Sequence, residues 1–230
     1  MRIAIIGNGK MGQAVAACAA SRSHEVVATL GREAMAAPTP DTLAGAEVAI
    51  EFTRPDAALG NLQKLIELGA PVVTGTTGEW LDSLPVIEQR VQNTGGALLH
   101  GANFSIGLQL FLRAAESLAG AARGLDSFDS AMTETHHTAK LDAPSGTALE
   151  IQRRVQQADP DRPLPISSIR VGKVPGTHQL IYDGLAETID LTHAVRDRAV
   201  FAEGAVRAAE WLPGKQGVFT FTQMLFGDQA

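Results

Sequence analysis

Residues 2–12 read Arg2-Ile3-Ala4-Ile5-Ile6-Gly7-Asn8-Gly9-Lys10-Met11-Gly12: a five-residue run of strand character, then G-x-G-x-x-G, then a segment of helical composition over Lys10–Ser21. Each glycine has a mechanical task. Gly7 makes the tight turn, Gly9 lets main chain approach a pyrophosphate, and Gly12 lets the helix pack close to the strand. The helix start offers unpaired N–H groups and a partial positive charge to phosphates. This spacing, directly after an apolar strand, predicts dinucleotide binding at Gly7, Asn8, Gly9, Lys10, Met11 and Gly12; a glycine-rich turn without a ligand is the bland alternative.

The segments that follow alternate in the same way. Glu25–Leu30, Ala46–Phe52, Pro71–Thr74 and Gly96–His100 read as strands, with helical runs at Pro55–Leu68 and Leu84–Thr94. Strands separated by helices of this length imply an α/β fold of the Rossmann type, a doubly wound parallel sheet with right-handed crossovers. Strands buried on both faces read as continuously apolar, as IAII and APVV do. In such sheets a ligand lies along the carboxyl ends of the strands. Four strand ends are therefore candidates for the cofactor: Arg32 after the second strand, then Phe52 and Thr53, then Gly75, Thr76 and Thr77, and finally Ala102, Asn103 and Phe104. A nicotinamide dinucleotide-specific site places Asp or Glu after the second strand to bind the ribose hydroxyls. Here Gly31-Arg32-Glu33 stands there, and Arg32 suits a 2′-phosphate, so NADPH is expected with NADH tolerated.

Past Asn103 the pattern changes. Ser105–Leu118 reads as a helix with a broad apolar face, Asp129–Glu134 as a strand and Gly146–Gln156 as a helix. Three strand-like segments follow without intervening helices, Ile166–Val171, His178–Tyr182 and Glu187–Thr192. This predicts a C-terminal α+β domain with an open antiparallel or mixed sheet. Thr188, Asp190 and Thr192 alternate with Ile189 and Leu191, so one face of the last strand should be wet or face a partner. Ala199–Trp211 reads as a helix, and the strand-like VFTFTQMLF follows.

Composition sets outer bounds. The 230 residues are 45% hydrophobic and 19% charged, with a formal net charge of −6, which fits a soluble globular protein. No run of basic residues occurs, which argues against nucleic acid and anionic membrane as partners. Cys18 is the single cysteine, so a disulfide framework and a thiolate metal site are excluded. No apolar stretch reaches the ~18 residues of a membrane span, and the N-terminus lacks a signal-peptide pattern. A cytoplasmic location is the resulting expectation.

Residues 134–149, ETHHTAKLDAPSGTAL, concentrate the chemistry. His136 and His137 are neighbours whose side chains diverge on an extended chain. A zinc site prefers histidines at i and i+4, and Lys140 occupies that place, so no metal is expected. Acid–base work fits better: a histidine near neutrality and a lysine can deliver a proton and hold an anion. Ser145 reads as an N-cap, and the Gly146 and Thr147 N–H groups with the Thr147 hydroxyl form an anion cradle at a helix start. Two readings stay open on these residues: a Rossmann oxidoreductase acting on an amino acid or aldehyde, and a nucleotide-sensing module.

The same stretch resembles the E-x-H-H-x-x-K-x-D-A-P-S-G-T-A signature of the 4-hydroxy-tetrahydrodipicolinate reductase (dihydrodipicolinate reductase) family of diaminopimelate and lysine biosynthesis. GNGKMG, IEFTRP, GTTG, ANFS, RVGKVPGTHQL and FAEGAVRAAEWL extend the likeness from end to end. The resemblance implies a Rossmann domain over 1–104 and 205–230 and a substrate-binding, oligomerising domain over 105–204 whose open sheet builds a homotetramer. It implies NADPH or NADH as cofactor and a small dicarboxylate as substrate. It makes His136 the proton donor, Lys140 its partner in acid catalysis and His137 a substrate contact, with Gly146 and Thr147 on a substrate carboxylate. Domain closure about the connections near Asn103 and Arg198 is a further implication. The chain departs from the family pattern at Gly31, where an acidic residue is frequent, and at Thr177, where Glu is common.

Overall fold

In the computed structural model, which describes residues 1–227, the chain runs β1 (Arg2–Ile6), α1 (Lys10–Ser21), β2 (Glu25–Leu30), β3 (Val48–Glu51), α2 (Pro55–Glu67), β4 (Val72–Thr74), α3 (Leu84–Thr94) and β5 (Ala97–His100). It continues through α4 (Ile106–Ala122), β6 (Phe128–His136), α5 (Gly146–Ala158), β7 (Ile166–Arg170), β8 (Gly176–Gly184) and β9 (Thr188–Val195), and then α6 (Ala199–Trp211), β10 (Gly217–Thr220) and α7 (Phe221–Phe226). Two units result: one from Met1–Ser105 with the segment that starts at Ala199, the other from Ile106–Arg198.

The first unit holds a six-stranded sheet in the order β10-β5-β4-β3-β1-β2, parallel throughout. Its strands are apolar without alternation because both faces are covered: Ile3, Ile5, Ile50, Val72, Val73, Leu98 and Leu99 are all buried. From β1 the chain goes to β2 on one side and then to β3 on the other, so the order reverses between β1 and β3. That reversal opens a crevice beyond their carboxyl ends. Main-chain bonds extend the sheet past the strands, Gly7 N–H to Leu30, Phe52 N–H to Ile6 and Gly75 N–H to Glu51, which aligns the loops that line it.

The return to this unit falls at Ala199, six residues ahead of the expected 205. α6 belongs here as a whole: Glu210 on it holds Arg22 at 2.8 Å and His24 at 2.7 Å beyond the end of α1. The closing segment, expected to be strand-like, is strand only as far as Thr220 and helix from Phe221 to Phe226. Thr220 accepts a hydrogen bond from the Gln223 N–H at 3.1 Å while the Gln223 side chain accepts from the Thr220 N–H at 2.8 Å. This reciprocal cap starts α7 and ends β10.

In the second unit the sheet order is β7-β6-β8-β9, with β6–β7 parallel and the other pairs antiparallel. The sheet is therefore mixed. α4 and α5 pack on one face, burying Leu108, Phe111, Leu112, Ile151 and Val155 with Met132, Leu180 and Tyr182. Each such side chain contributes roughly 1.5–3 kcal/mol of transfer free energy. Strand alternation then decides what lies beyond Met132 and Leu180 on the same buried face: Glu134, His136, Gly176 and His178. In β9 the expected apolar stripe thins at one end. Leu191 packs against the core, but Ile189 is 38% exposed.

Candidate active site

At the crevice of the first unit the glycines behave as their spacing predicts. Gly7 has φ +106°, and a side chain there would strike the carbonyl of Phe52. A side chain at Gly12 would strike the carbonyl of Gly7, so this glycine sets the approach of α1 to the turn. Gly9 is different: a Cβ there would meet nothing within 4 Å. It is the N-cap of α1 and supplies no side-chain cap to the first-turn N–H groups. This cradle suits a pyrophosphate.

The neighbouring strand ends are tied together by hydroxyls. Glu51 is fully buried at the end of β3 and accepts from Thr53 Oγ1 and from Thr74 Oγ1, the latter at 2.6 Å. The Thr53 N–H donates to Thr76 Oγ1 at 2.8 Å. Loops 52–54 and 74–78 are thereby held in register at the crevice. A side chain at Gly75 would collide with the Phe52 ring. Asn8, Lys10, Arg32, Thr77 and Ala102 are exposed and Met11 half-buried, whereas Phe104 is buried between Phe52 and Phe221. Phe104 can offer a ligand only its main chain. The Asn103 side chain accepts from the Ser105 N–H at 2.9 Å.

In the second unit His136 and His137 do diverge. His136 points to the buried face and donates its Nδ1 proton to Glu134, whose other oxygen accepts from Arg170 at 2.7 Å. Burial would raise the Glu134 carboxyl, but hydrogen bonds from Arg170 and Ser168, with His136, outweigh it and bring it down to about 2. His136 itself is lowered, by burial first; Glu134 opposes that, while Lys140 and Arg170 add to it. The His178 ring stands edge-on to His136 at 5.3 Å, and its Nε2 lies 3.4 Å from Ser145 Oγ. Burial, then the neighbouring His136 and His193, lowers His178 to about 4. Glu134, His136 and His178 could each offer a ligand atom within 4.8 Å of the others. Arg170 on one carboxylate oxygen and the His136 N–H on the other make that trio an acid–base assembly rather than a cation site.

Ser145 is the N-cap of α5: its hydroxyl accepts from the Ala148 N–H at 3.2 Å. This leaves the Gly146 and Thr147 N–H groups for another acceptor. The Asp142 carboxylate leans on this helix start, held below its usual range by Lys140 first, with the Gly146 N–H also contributing. Lys140 Nζ lies 2.8 Å from Asp142. His137 faces a separate cleft of about 550 Å³ whose charged lining is Lys173, Arg196, Asp197 and Arg198. The Arg198 guanidinium lies 3.4 Å from His137 Nε2. Lys140, Gly146 and Thr147 do not line this cleft.

Several residues here escape a reading of motifs alone. Glu134 lies inside the signature, and its i, i+2 relation to His136 on a strand was the available signal. Arg170, Gly176 and His178 reach the site only through strand pairing, Arg170 opposite His136 and His178 opposite Glu134. Arg196 and Arg198 come from a loop with no local pattern, and Lys173 lies in the RVGKVPGTHQL segment without a role assigned to it there.

A parallel sheet with a glycine turn at its switch point, in a chain whose second unit carries oriented acid–base groups, defines a nicotinamide-dinucleotide-dependent oxidoreductase. Comparison with known proteins narrows the class. The chain belongs to the dihydrodipicolinate reductase family: the family's N-terminal model matches residues 1–104 and its C-terminal model residues 107–225. It is 35% identical to the 4-hydroxy-tetrahydrodipicolinate reductase of Christiangramia forsetii, over 98% of each chain. It is 33% identical to that of Natronomonas pharaonis, over 92% of this chain and 94% of the other. The solved structure of a dipicolinate-bound dihydrodipicolinate reductase from Paenisporosarcina sp. TG-14 shares the fold, with a TM-score of 0.82 at 21% identity, covering 98% of this chain and 99% of that one. Among the described residues no helix is long and apolar enough to cross a membrane.

Proposed function

We propose that this chain reduces 4-hydroxy-tetrahydrodipicolinate to tetrahydrodipicolinate with NADPH or NADH, as a step of diaminopimelate and lysine biosynthesis. The observation that carries the reading is His136, an inward-facing imidazole with its Nδ1 proton already committed, on the strand that leads to Lys140 and the helix start at Gly146, where Asp142 now rests. The cofactor supplies a hydride. Gly7, Asn8, Gly9, Lys10, Met11 and Gly12 hold its pyrophosphate, and Arg32 suits a 2′-phosphate. Phe52, Thr53, Gly75, Thr76, Thr77, Ala102, Asn103 and Phe104 line the strand ends toward the nicotinamide.

The chain's own groups do the rest. The substrate is a dianion, and an acidic protein must offer it a local positive field. Lys140 and the Gly146 and Thr147 N–H groups take one carboxylate, displacing Asp142 from donors of the same kind. His137 contacts the substrate from the cleft that Lys173, Arg196 and Arg198 make basic. Overall the substrate gains one hydride and one proton and its 4-hydroxyl leaves as water. His136 gives the Nε2 proton to the substrate as negative charge builds on it, and Lys140 supports that transfer by its charge.

A homotetramer formed through the open sheet of the second unit and a cytoplasmic location complete the proposal; light scattering on the eluting protein checks the assembly. The activity test follows absorbance of the reduced nicotinamide while the enzymatically generated imine is supplied, with each cofactor in turn. Oxidation dependent on the imine is expected, faster with NADPH. No oxidation with either cofactor contradicts the reading.

A further inference from the structure

We propose that Glu134 is a positioning residue: its carboxylate accepts a hydrogen bond from the Nδ1–H of His136, so that Nε2 is the nitrogen that donates, and it holds the ring over Gly176. The inference rests on the proposed reduction and deepens it. Glu134 is fully buried, and neither of its oxygens is spare, one accepting from His136 and the other from Arg170 at 2.7 Å. A carboxylate whose task was only to neutralise Arg170 could use both oxygens on the guanidinium fork, the stronger geometry. Here the fork is divided: the same Arg170 nitrogen also donates to the Asp142 carbonyl at 2.5 Å. The second oxygen is committed to the histidine instead.

Alternation along β6 and β8 explains how the ring is aimed. Glu134 and His136 share the buried face, and Gly176 and His178 stand beside them on β8. A Cβ at Gly176 would lie 3.0 Å from His136 Nε2 and 3.3 Å from its Cδ2. The glycine therefore leaves the space in which the ring presents Nε2. With Nδ1–H held by Glu134, loss of the Nε2 proton to substrate leaves the neutral imidazole in one tautomer, ready to be reprotonated at Nε2 from solvent. Glu134 remains a carboxylate throughout, held so by Arg170. The arrangement parallels carboxylate–histidine pairs in which the acid orients the ring and supports its cationic form.

The charged and titratable groups facing His136 are Glu134 on its own strand, Arg170 on β7, His178 on β8 and Lys140 on the loop beyond. Only Glu134 favours the imidazolium, because the others are cationic or neutral. If His136 must be protonated to donate, kcat/KM falls as pH rises through its pKa. Removing the negative charge lowers that pKa, so the falling limb moves to lower pH.

The test uses the full chain with Glu134→Gln, which keeps size and loses charge, and Glu134→Asp, which keeps charge and cannot reach. For Glu134→Gln, kcat is expected to drop roughly 10- to 100-fold, with the alkaline limb shifted down and nucleotide KM unchanged. Wild-type kcat with an unmoved limb overturns the inference. Should Glu134→Gln fail to fold, Glu134→Asp carries the kinetic arm, and an unchanged kcat there is equally contrary. Nitrogen NMR of the His136 ring in the unliganded wild type is independent of turnover. It should show the Nδ1–H tautomer, and an Nε2–H tautomer refutes the pairing. A wild type inactive on the imine would defeat the proposed reduction while leaving the NMR result to decide the pair.

Discussion

At the ends of β1 and β3 the first unit presents mainly main chain and hydroxyls, whereas at the end of β6 the second unit presents ionisable side chains. The two buried glutamates make the contrast concrete. Glu51 is answered by neutral donors, Thr53 and Thr74, and Glu134 by a guanidinium and an imidazole. Glu51 fixes loops in place. Glu134 tunes the proton affinity of its neighbour. A site that only grips phosphates and a flat ring needs shape, which glycines and main-chain N–H groups supply at no cost in desolvated charge. A site that moves a proton needs groups whose charge can change near neutral pH, and these must be buried and paired to hold one geometry.

The sharpest way to break this comparison is His136→Ala. It should lower kcat on the order of 10²–10⁴-fold while nucleotide affinity, read by fluorescence, stays within about twofold of the wild type. A parallel loss of nucleotide binding would erase the division of labour.

Stability against pH comes next. His178 is held at about 4 against 6.5 for the unperturbed group, by burial first. The unfolded chain therefore takes up this proton before the folded one does. The contribution is complete above 6.5 and lost as pH falls from 6.5 toward 4, a loss on the order of 3 kcal/mol. Urea unfolding across that window should show the decline, and His178→Asn should flatten it.

Gly9→Ala sharpens the comparison from the other side. A Cβ there touches nothing, so thermal unfolding should move by no more than about 0.5 kcal/mol. Nucleotide binding should weaken about tenfold or more, because the methyl fills the phosphate cradle. Gly12→Ala, whose Cβ meets the Gly7 carbonyl, should instead lose stability. The smallest effect is at the exposed Arg32: Arg32→Ala should cost NADPH affinity about fivefold, near 1 kcal/mol, and leave NADH binding unchanged.

Legibility in the sequence follows the same division. Parallel strands buried on both faces announce themselves as IAII or APVV, and three glycines at fixed spacing carry their mechanics locally. The order of strands, the crevice between β1 and β3 and the helix at 221–226 needed long-range pairing or a cap that the strand-like VFTFTQMLF hides. In the second unit the His136–Lys140 segment was conspicuous because ionisable residues crowd into few positions. Its supporting groups were not, since Arg170, Gly176 and His178 reach His136 across strands from 34 or more positions away in the chain. The basic cleft at Lys173, Arg196 and Arg198 is assembled from loops for the same reason.

The most direct measurement is a crystal structure of the chain with NADPH and pyridine-2,6-dicarboxylate. The account predicts pyrophosphate on the Gly7–Gly12 turn, one carboxylate on Lys140 and the Gly146 and Thr147 N–H groups, and His136 Nε2 directed at the ring with Glu134 still on Nδ1. A dicarboxylate bound away from His136 and Lys140, or phosphates lying off the glycine turn, would contradict it.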